Sequence, residues 1–115
     1  MIYKVGALII KDDCLLLTVK TNILGTKYDF PIWSYEPGEI PIEAINKRIK
    51  NLGIKKDDKS YITRFIVNNK PIFLYKIKNW EGKIKNKDYI WVHKSVIMMN
   101  KRSLPFDTET MNEIF

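Results

Sequence analysis

The stretch between Pro41 and Gly53 narrows the possible folds more than any other part of the sequence. Aliphatic side chains recur in it at the three- and four-residue spacing of one helix face. They are Ile42, Ile45, Ile49 and Leu52. Pro41 suits the first turn of a helix, and Gly53 suits the position after its last residue. The stretch therefore predicts a helix that begins at Pro41, ends before Gly53 and buries its isoleucine face.

Two strand-like segments precede this helix. Residues 2–11 and 14–20 are rich in aliphatic side chains, and a pair of aspartates separates them. A short acidic break between two apolar runs is typical of a β-hairpin turn. Residues 21–32 then mix polar and apolar side chains with a glycine and a proline, which predicts a loop or an irregular connection.

More strands follow the helix. The runs at 61–67 and 72–78 predict a second β-hairpin, and residues 88–93 predict a further strand. The tail predicts a short helical turn, a break at Pro105 and a last helix that starts two or three residues later. Strands, a helix, more strands and a helix in this order favour an α+β fold, with helices packed around a mixed sheet.

The length of 115 residues gives room for one core, so residues 1–115 are expected to form a single domain. No apolar run approaches the ~20 residues that cross a bilayer, and no basic start with a cleavable apolar core opens the sequence. A soluble cytoplasmic protein without a membrane partner is therefore expected. Cys14 is the only cysteine, which excludes an internal disulfide, and the single His93 is expected to be structural or exposed.

The formal net charge is +7, and the isoelectric point lies near 9.5. Such an excess favours anionic partners, namely a nucleotide, nucleic acid, a ribonucleoprotein or an acidic protein surface. Heavy use of Lys, Asn and Ile is also what an AT-rich genome produces. The charge alone therefore leaves the partner open.

Four segments and the order of elements resemble the Nudix superfamily of pyrophosphohydrolases. The segments are VGALIIKDDCLLLTVKT at 5–21, EPGEIPIEAI at 36–45, NLGI at 51–54 and WVHKSVIMMNKRSLPFDTETMNEIF at 91–115. They are similar to that family's first hairpin, the two ends of its helix, and its closing strand with the C-terminal helix. The resemblance implies an α/β/α sandwich with a mixed β-sheet. It also implies a site where carboxylates hold divalent metal ions around a pyrophosphate.

The catalytic box of that family is degenerate in this sequence. Aligning Gly38 and Glu39 with the Gly-Glu pair before the family's helix puts Glu39 on the first glutamate of the box. Lys47 then falls on the arginine, Arg48 on the glutamate that follows and Asn51 on the next one. A cation at Arg48 repels a dication by about 4 kcal/mol per unit-charge pair, at ~4 Å and an effective dielectric of ~20. The alignment therefore predicts a box that has lost most of its metal ligands.

Three carboxylates remain as candidates for a catalytic or metal site. They are Glu36, Glu39 and Glu43, with Glu39 as the ligand if Mg²⁺ or Mn²⁺ binds at all. No cofactor is expected otherwise. The alternative for Glu39 and Glu43 is that they only complement the positive end of the helix.

Cations and aromatic side chains near the helix are the candidates for ligand binding. Lys47, Arg48 and Lys50 could bind phosphate or nucleic acid, because guanidinium and ammonium groups suit phosphate oxygens. Lys55 and Lys56, beyond the end of the helix, could add to this set. The alternative is a solvated basic face. Trp33 and Tyr35 are candidates for base stacking, and their alternative is packing against the core.

Together these patterns predict a Nudix-like protein that binds rather than cleaves. The expected ligand bears phosphate, as a nucleotide, a nucleic acid or a ribonucleoprotein does. The first alternative is an active Mg²⁺-dependent pyrophosphohydrolase that acts on nucleoside diphosphate derivatives. The second is a protein-interaction scaffold in which the basic charge is incidental.

Overall fold

The computed structural model describes residues 3–55, 61–65, 72–99 and Phe115. The elements of these residues follow the order strands, helix, strands, helix, which confirms the α+β prediction. In chain order they are β1 (Tyr3–Lys11), β2 (Cys14–Asn22), β3 (Gly25–Asp29), β4 (Ile32–Tyr35), α1 (Pro41–Leu52), β5 (Ile54–Lys55), β6 (Tyr61–Phe65), β7 (Phe73–Lys78), β8 (Glu81–Gly82), β9 (Tyr89–His93) and α2 (Lys94–Met99).

The strand β1 lies at the centre because it pairs with three other strands. Its first half is antiparallel to β4, and its other edge is parallel to β7. Its last two residues, Ile10 and Lys11, pair with β2. The strand β2 also pairs with β9 from Cys14 to Thr18 and with β3 from Thr18 to Asn22, and among the described strands it is not paired with β4. The mixed sheet therefore forks along β1.

The turn between β1 and β2 is built from Asp12 and Asp13. Both residues have positive φ angles, 51° and 61°, as a two-residue hairpin turn requires. The Asp13 carbonyl accepts a hydrogen bond from the Lys94 backbone N–H at 2.8 Å, and the Lys94 ammonium lies 3.5 Å from the Asp13 carboxylate. The predicted acidic turn is confirmed, and it also anchors the start of α2.

The helix α1 covers one face of the central strands. Its ends are those that the sequence predicted, with Pro41 in the first turn and Gly53 in a left-handed conformation after the last residue. Its buried side chains are Ala44, Ile45 and Ile49. They pack against β1, β2 and β7, on a cluster that contains Val5, Ala7, Ile9, Leu16, Tyr75 and Ile77.

The predicted buried face of α1 needs one correction. Ile42 is 37% exposed, whereas Ala44 is buried. With about 100° of rotation per residue, the contact face is centred towards Ala44, so Ile42 falls at its margin. Leu52 lies at the other end of the helix and is only partly buried against the cluster.

A second cluster fills the opposite face of the sheet. Alternate residues of β1, Leu8 and Ile10, point into it, and Ile97 of α2 packs there. Its other buried members are Leu15, Leu17, Phe30, Leu74 and Val92. Helices therefore cover both faces of the sheet, as the α/β/α prediction requires.

The prediction of a loop over residues 21–32 is wrong. The strand β2 runs on to Asn22, and β3 and β4 occupy most of the remaining segment. The turn between β2 and β3 forms because the Asn22 side chain accepts the Leu24 N–H at 2.8 Å and Gly25 adopts a φ of 126°. Residues 19–25 of this hairpin are exposed, which explains why their polarity does not alternate like that of a half-buried strand.

The remaining element predictions have two outcomes. The pairing of β6 with β7 confirms the second hairpin, β9 confirms the strand at 88–93, and α2 confirms the helical turn. The hairpin's turn, the break at Pro105 and the last helix lie outside the described residues. No helix of the described residues is long and apolar enough to span a membrane.

A pair of glycines joins the end of α1 to β8, and substitution there should be costly. A Cβ atom on Gly82 would overlap the Gly53 carbonyl, and Gly82 has a φ of 111°. We expect Gly82→Ala to lower the free energy of unfolding by about 3–4 kcal/mol, since backbone strain and overpacking add. Gly38→Ala is the matched control, because Gly38 also has a positive φ but open space around it, and it should cost about 1–2 kcal/mol. Urea unfolding would measure both, and equal losses would contradict the steric contact.

Candidate functional site

The strand β4, the turn at 36–39 and the part of α1 from Pro41 to Arg48 form the surface where the sequence places the candidate carboxylates. We call this the β4–α1 surface. The turn is closed by the Glu39 N–H, which donates to the Glu36 carbonyl at 3.1 Å. In return the Glu39 carboxylate accepts the Glu36 N–H at 2.9 Å. The Glu39 side chain therefore supports the turn that leads into the helix.

The three candidate carboxylates do not converge in the described part of the chain. Glu36, Glu39 and Glu43 are all exposed, and Glu43 lies in the first turn of α1. Among the described residues, no three His, Cys, Asp or Glu side chains are grouped so that they could hold a metal ion. The donors seen on this surface thus do not fit a divalent-metal site of the kind that Mg²⁺ or Mn²⁺ requires.

Arg48 reaches from α1 towards β4. Its side chain is exposed, and its Nη2 donates to the Ser34 carbonyl at 3.5 Å. No described carboxylate lies within ion-pair distance of its guanidinium. A guanidinium has five N–H donors, so this single long hydrogen bond leaves donors available to an anion.

The three candidate cations of α1 do not form one cluster. Arg48 and Lys50 are two residues apart, which separates their side chains by about 200° around the helix. Arg48 faces β4, whereas Lys50 lines a groove of about 630 Å³ at the far end of α1. Lys47 is exposed on the outward side of the helix. The structure therefore separates the three cations of α1, which the sequence had grouped as one phosphate-binding set.

The groove at the end of α1 brings the predicted phosphate-binding candidates Lys50 and Lys55 together with two lysines that no sequence pattern had indicated as part of a site. Lys55 follows the helix, and Lys83 and Lys85 come from the segment after β8. The two-residue pairing of β5 with β8 holds these segments together. The alternation of lysines in the segment GKIKNK is the sequence signal that could have pointed to Lys83 and Lys85.

Trp33 and Tyr35 point from β4 towards α1. Both side chains are half-buried and pack against the core cluster beneath the helix. Their alternation with the exposed Ile32 and Ser34 is the pattern of a strand with one buried face. Packing against the core thus covers most of both side chains. The part of each ring that stays exposed belongs to the β4–α1 surface.

The fork of the sheet opens a cleft of about 710 Å³ that no sequence pattern indicated. Its lining residues come from the first four strands, from β9 and from the segments between strands, and only the topology brings them together. They are Lys4, Thr18, Val19, Lys20, Asp29, Phe30, Pro31, Ile32, Lys87, Asp88, Tyr89 and Ile90. Three lysines and two aspartates thus share this cleft with several apolar side chains.

Tyr89 is the one described group in this cleft with a clearly shifted acidity. Burial of its hydroxyl, and secondly the Asp88 carboxylate beside it, raise the pKa of Tyr89 above the ordinary 10.0. Both causes disfavour the charged phenolate. Tyr89 is therefore a neutral hydrogen-bonding group at physiological pH.

The raised pKa of Tyr89 predicts a loss of stability at high pH. The folded state holds the Tyr89 proton more tightly than the unfolded state, so the unfolded chain releases its proton first. The free energy of unfolding should fall as pH rises above about 10 and towards the folded-state pKa. Tyr89→Phe should lose less stability over that range. Urea unfolding of both proteins would test this, and parallel pH profiles would contradict it.

Comparison with known proteins identifies the fold. No protein-family model and no curated protein matches the sequence. The E. coli ORF135 protein matches over 97% of this chain and 86% of its own, at 18% identity and a TM-score of 0.58. A MutT structure from work on the Aliivibrio salmonicida and Vibrio cholerae proteins matches over 98% and 93%, at 15% identity and a TM-score of 0.60.

A third structure agrees with these two. A NUDIX hydrolase from Nitrosomonas europaea matches over 97% of this chain and 86% of its own, at 16% identity and a TM-score of 0.54. Identities this low establish the fold and not the activity. The chain therefore has the α+β, Nudix-like fold that its sequence predicted.

Proposed function

We propose that the chain is a binding module for a phosphate-bearing ligand, which it engages through the β4–α1 surface. The ligand class is a nucleotide, a nucleic acid or a ribonucleoprotein. The observation that carries the proposal is the position of Arg48, whose guanidinium reaches β4 and forms no ion pair with a described carboxylate. A guanidinium in that setting is suited to two parallel hydrogen bonds with phosphate oxygens.

The positive charge at Arg48 argues for direct phosphate binding at that position rather than binding through a metal ion. The resemblance places Arg48 at a glutamate of the catalytic box, so a cation stands where a metal ligand is expected. An arginine in place of a carboxylate reverses the local preference from a dication to an anion. The net charge of +7 acts in the same direction by attracting anions from a distance.

A metal-dependent pyrophosphohydrolase is the second candidate function. The Nudix-like fold favours it, because solved neighbours of this fold include a NUDIX hydrolase. In that case Glu39 would be the first ligand for Mg²⁺ or Mn²⁺, with Glu36 and Glu43 nearby in sequence. The hydrogen bond from the Glu36 N–H to the Glu39 carboxylate counts against a metal ligand at Glu39, since Oε1 of that carboxylate already supports the turn.

A protein-interaction scaffold is the third candidate. The tip of the β2–β3 hairpin favours it, since Ile23 and Leu24 there are 104% and 94% exposed. Large aliphatic side chains at such a tip suit insertion into an apolar pocket of a partner. The basic charge would then be incidental.

Charge reversal at Arg48 tests the first proposal. Arg48→Glu should weaken the binding of nucleoside di- and triphosphates by at least about tenfold. The change replaces a cation that donates hydrogen bonds to phosphate by a carboxylate, whose negative charge repels phosphate. Isothermal titration calorimetry without metal ions would measure this. Lys27→Glu is the matched control, since Lys27 is an exposed cation on β3, and it should change affinity by less than about twofold.

Release of nucleoside monophosphate, which cleavage of either a di- or a triphosphate would give, separates the binding module from the enzyme. Incubation with the same nucleotides and Mg²⁺ or Mn²⁺ should form no nucleoside monophosphate above the rate in buffer alone. Turnover that Glu39→Gln abolishes would overturn the proposal and establish the hydrolase.

A further inference from the structure

Four lysines converge on the groove at the end of α1, from three segments of the chain. Lys50 lies in the last turn of α1, Lys55 in β5, and Lys83 and Lys85 after β8. All four are exposed, and none forms an ion pair with a described carboxylate. The β5–β8 pairing sets Lys55 opposite Glu81, yet no ion pair forms between them in the described structure. The groove is thus a concentrated positive surface.

The end of a helix explains only part of this charge. Lysine in the last turn complements the negative end of the helix dipole, and Lys50 is such a residue. Lys83 and Lys85 belong to a different segment and lie on the other wall of the groove. Like charges brought together repel each other, so their convergence favours an anionic ligand that spans both walls.

A pair of tryptophans lies directly beside the groove. The rings of Trp80 and Trp91 are stacked, with centroids 5.9 Å apart and planes 12° from parallel. Trp80 is buried, donates its indole N–H to the Ile10 carbonyl at 3.1 Å, and carries the Lys11 ammonium 4.8 Å from its ring centre. Trp91 is 39% exposed. The rigid inner ring therefore supports an outer ring that remains open to solvent.

The tryptophan pair and the lysine groove form one continuous surface. The tryptophans line a depression of about 360 Å³ whose other lining residues include Lys11, Asp12 and Lys83. Gly82 and Lys83 line both this depression and the lysine groove. Five lysines and one aspartate thus line the two depressions. We call the whole the Trp91–Lys83 surface.

We propose that the Trp91–Lys83 surface binds single-stranded nucleic acid, with a base stacked on Trp91 and phosphates held by the lysine groove. Aromatic rings bind bases of any sequence, and a basic groove follows the strand's backbone. A duplex keeps its bases stacked inside and cannot offer one to Trp91 without local opening. An acidic protein would use the lysines but not the exposed ring. This site is distinct from the β4–α1 surface and does not depend on it.

The test uses the full chain and a fluorescein-labelled single-stranded oligouridylate, followed by anisotropy and by tryptophan emission. We expect binding that weakens steeply with salt and quenches the emission. The association constant falls as the salt concentration rises. Lys83→Gln with Lys85→Gln should make the slope of its logarithm against log salt shallower by roughly 1.4, since each single-strand phosphate contact contributes ~0.7. Trp91→Leu should weaken binding about tenfold and reduce the quenching, because the stacked base is lost. Circular dichroism would establish that each variant is folded.

Three results would overturn this proposal. One is an equal loss in the control Lys20→Gln with Lys27→Gln, which removes the same charge from a facing pair on the β2–β3 hairpin. Another is equally tight binding of polyglutamate, which would show charge attraction without base recognition. The third is a loss caused by Arg48→Glu and not by the Lys83 and Lys85 changes. The strand would then bind at the β4–α1 surface, and the proposed function would stand without this one.

Discussion

The sharing of one edge of β1 between two partner strands is the constraint on which the rest of the structure depends. β4 occupies the first part of that edge, and β2 occupies its end. Backbone groups in a buried strand must be paired, so β1 can change partners only where another strand begins. The Ala7 N–H fills the gap between the two by donating to the Pro31 carbonyl at 3.0 Å. The forked sheet and its cleft follow from this exchange.

Burial of β1 on both faces explains the layered arrangement. Val5, Ala7 and Ile9 face α1, while Leu8 and Ile10 face the α2 side. Gly6 lies on the second side, where a Cβ would come within 2.6 Å of the Leu74 Cδ2 and 2.8 Å of the Phe30 Cε2. A near-continuous apolar run is the expected sequence of a strand that is covered twice. Because both α1 and β4 are held against β1, the exposed side chains of α1 keep a constant position relative to β4.

Local signals in the sequence were sufficient for the elements that depend on local physics. Pro41 and Gly53 marked the ends of α1, and the aspartate pair marked the first hairpin turn. The helical spacing of aliphatic residues does not determine which side of α1 packs against the sheet, because that depends on contacts with the strands. The burial of Ile42 was therefore predicted wrongly. The β2–β3 hairpin was missed because an exposed strand has no apolar alternation to reveal it.

The candidate sites were less predictable because non-local contacts assemble them. Lys50 could be singled out from its helix, but nothing in the spacing shows that Lys83 and Lys85 lie across from it. The stacking of Trp80 on Trp91 likewise joins two segments that only the sheet topology brings together. Two-residue strands such as β5 and β8 carry almost no signal of their own.

The lysine groove can form only because Gly53 and Gly82 have no side chains where their two segments meet. Each glycine lies where a Cβ would overlap the opposite backbone, so the two segments meet only because neither has a side chain. A two-residue ladder has few hydrogen bonds and is among the parts of a fold that open most readily. An anion that binds lysines on both walls of the groove would stabilise the pairing of β5 with β8. Occupancy of the groove and order at the end of α1 would then be linked by thermodynamics, each increasing the other.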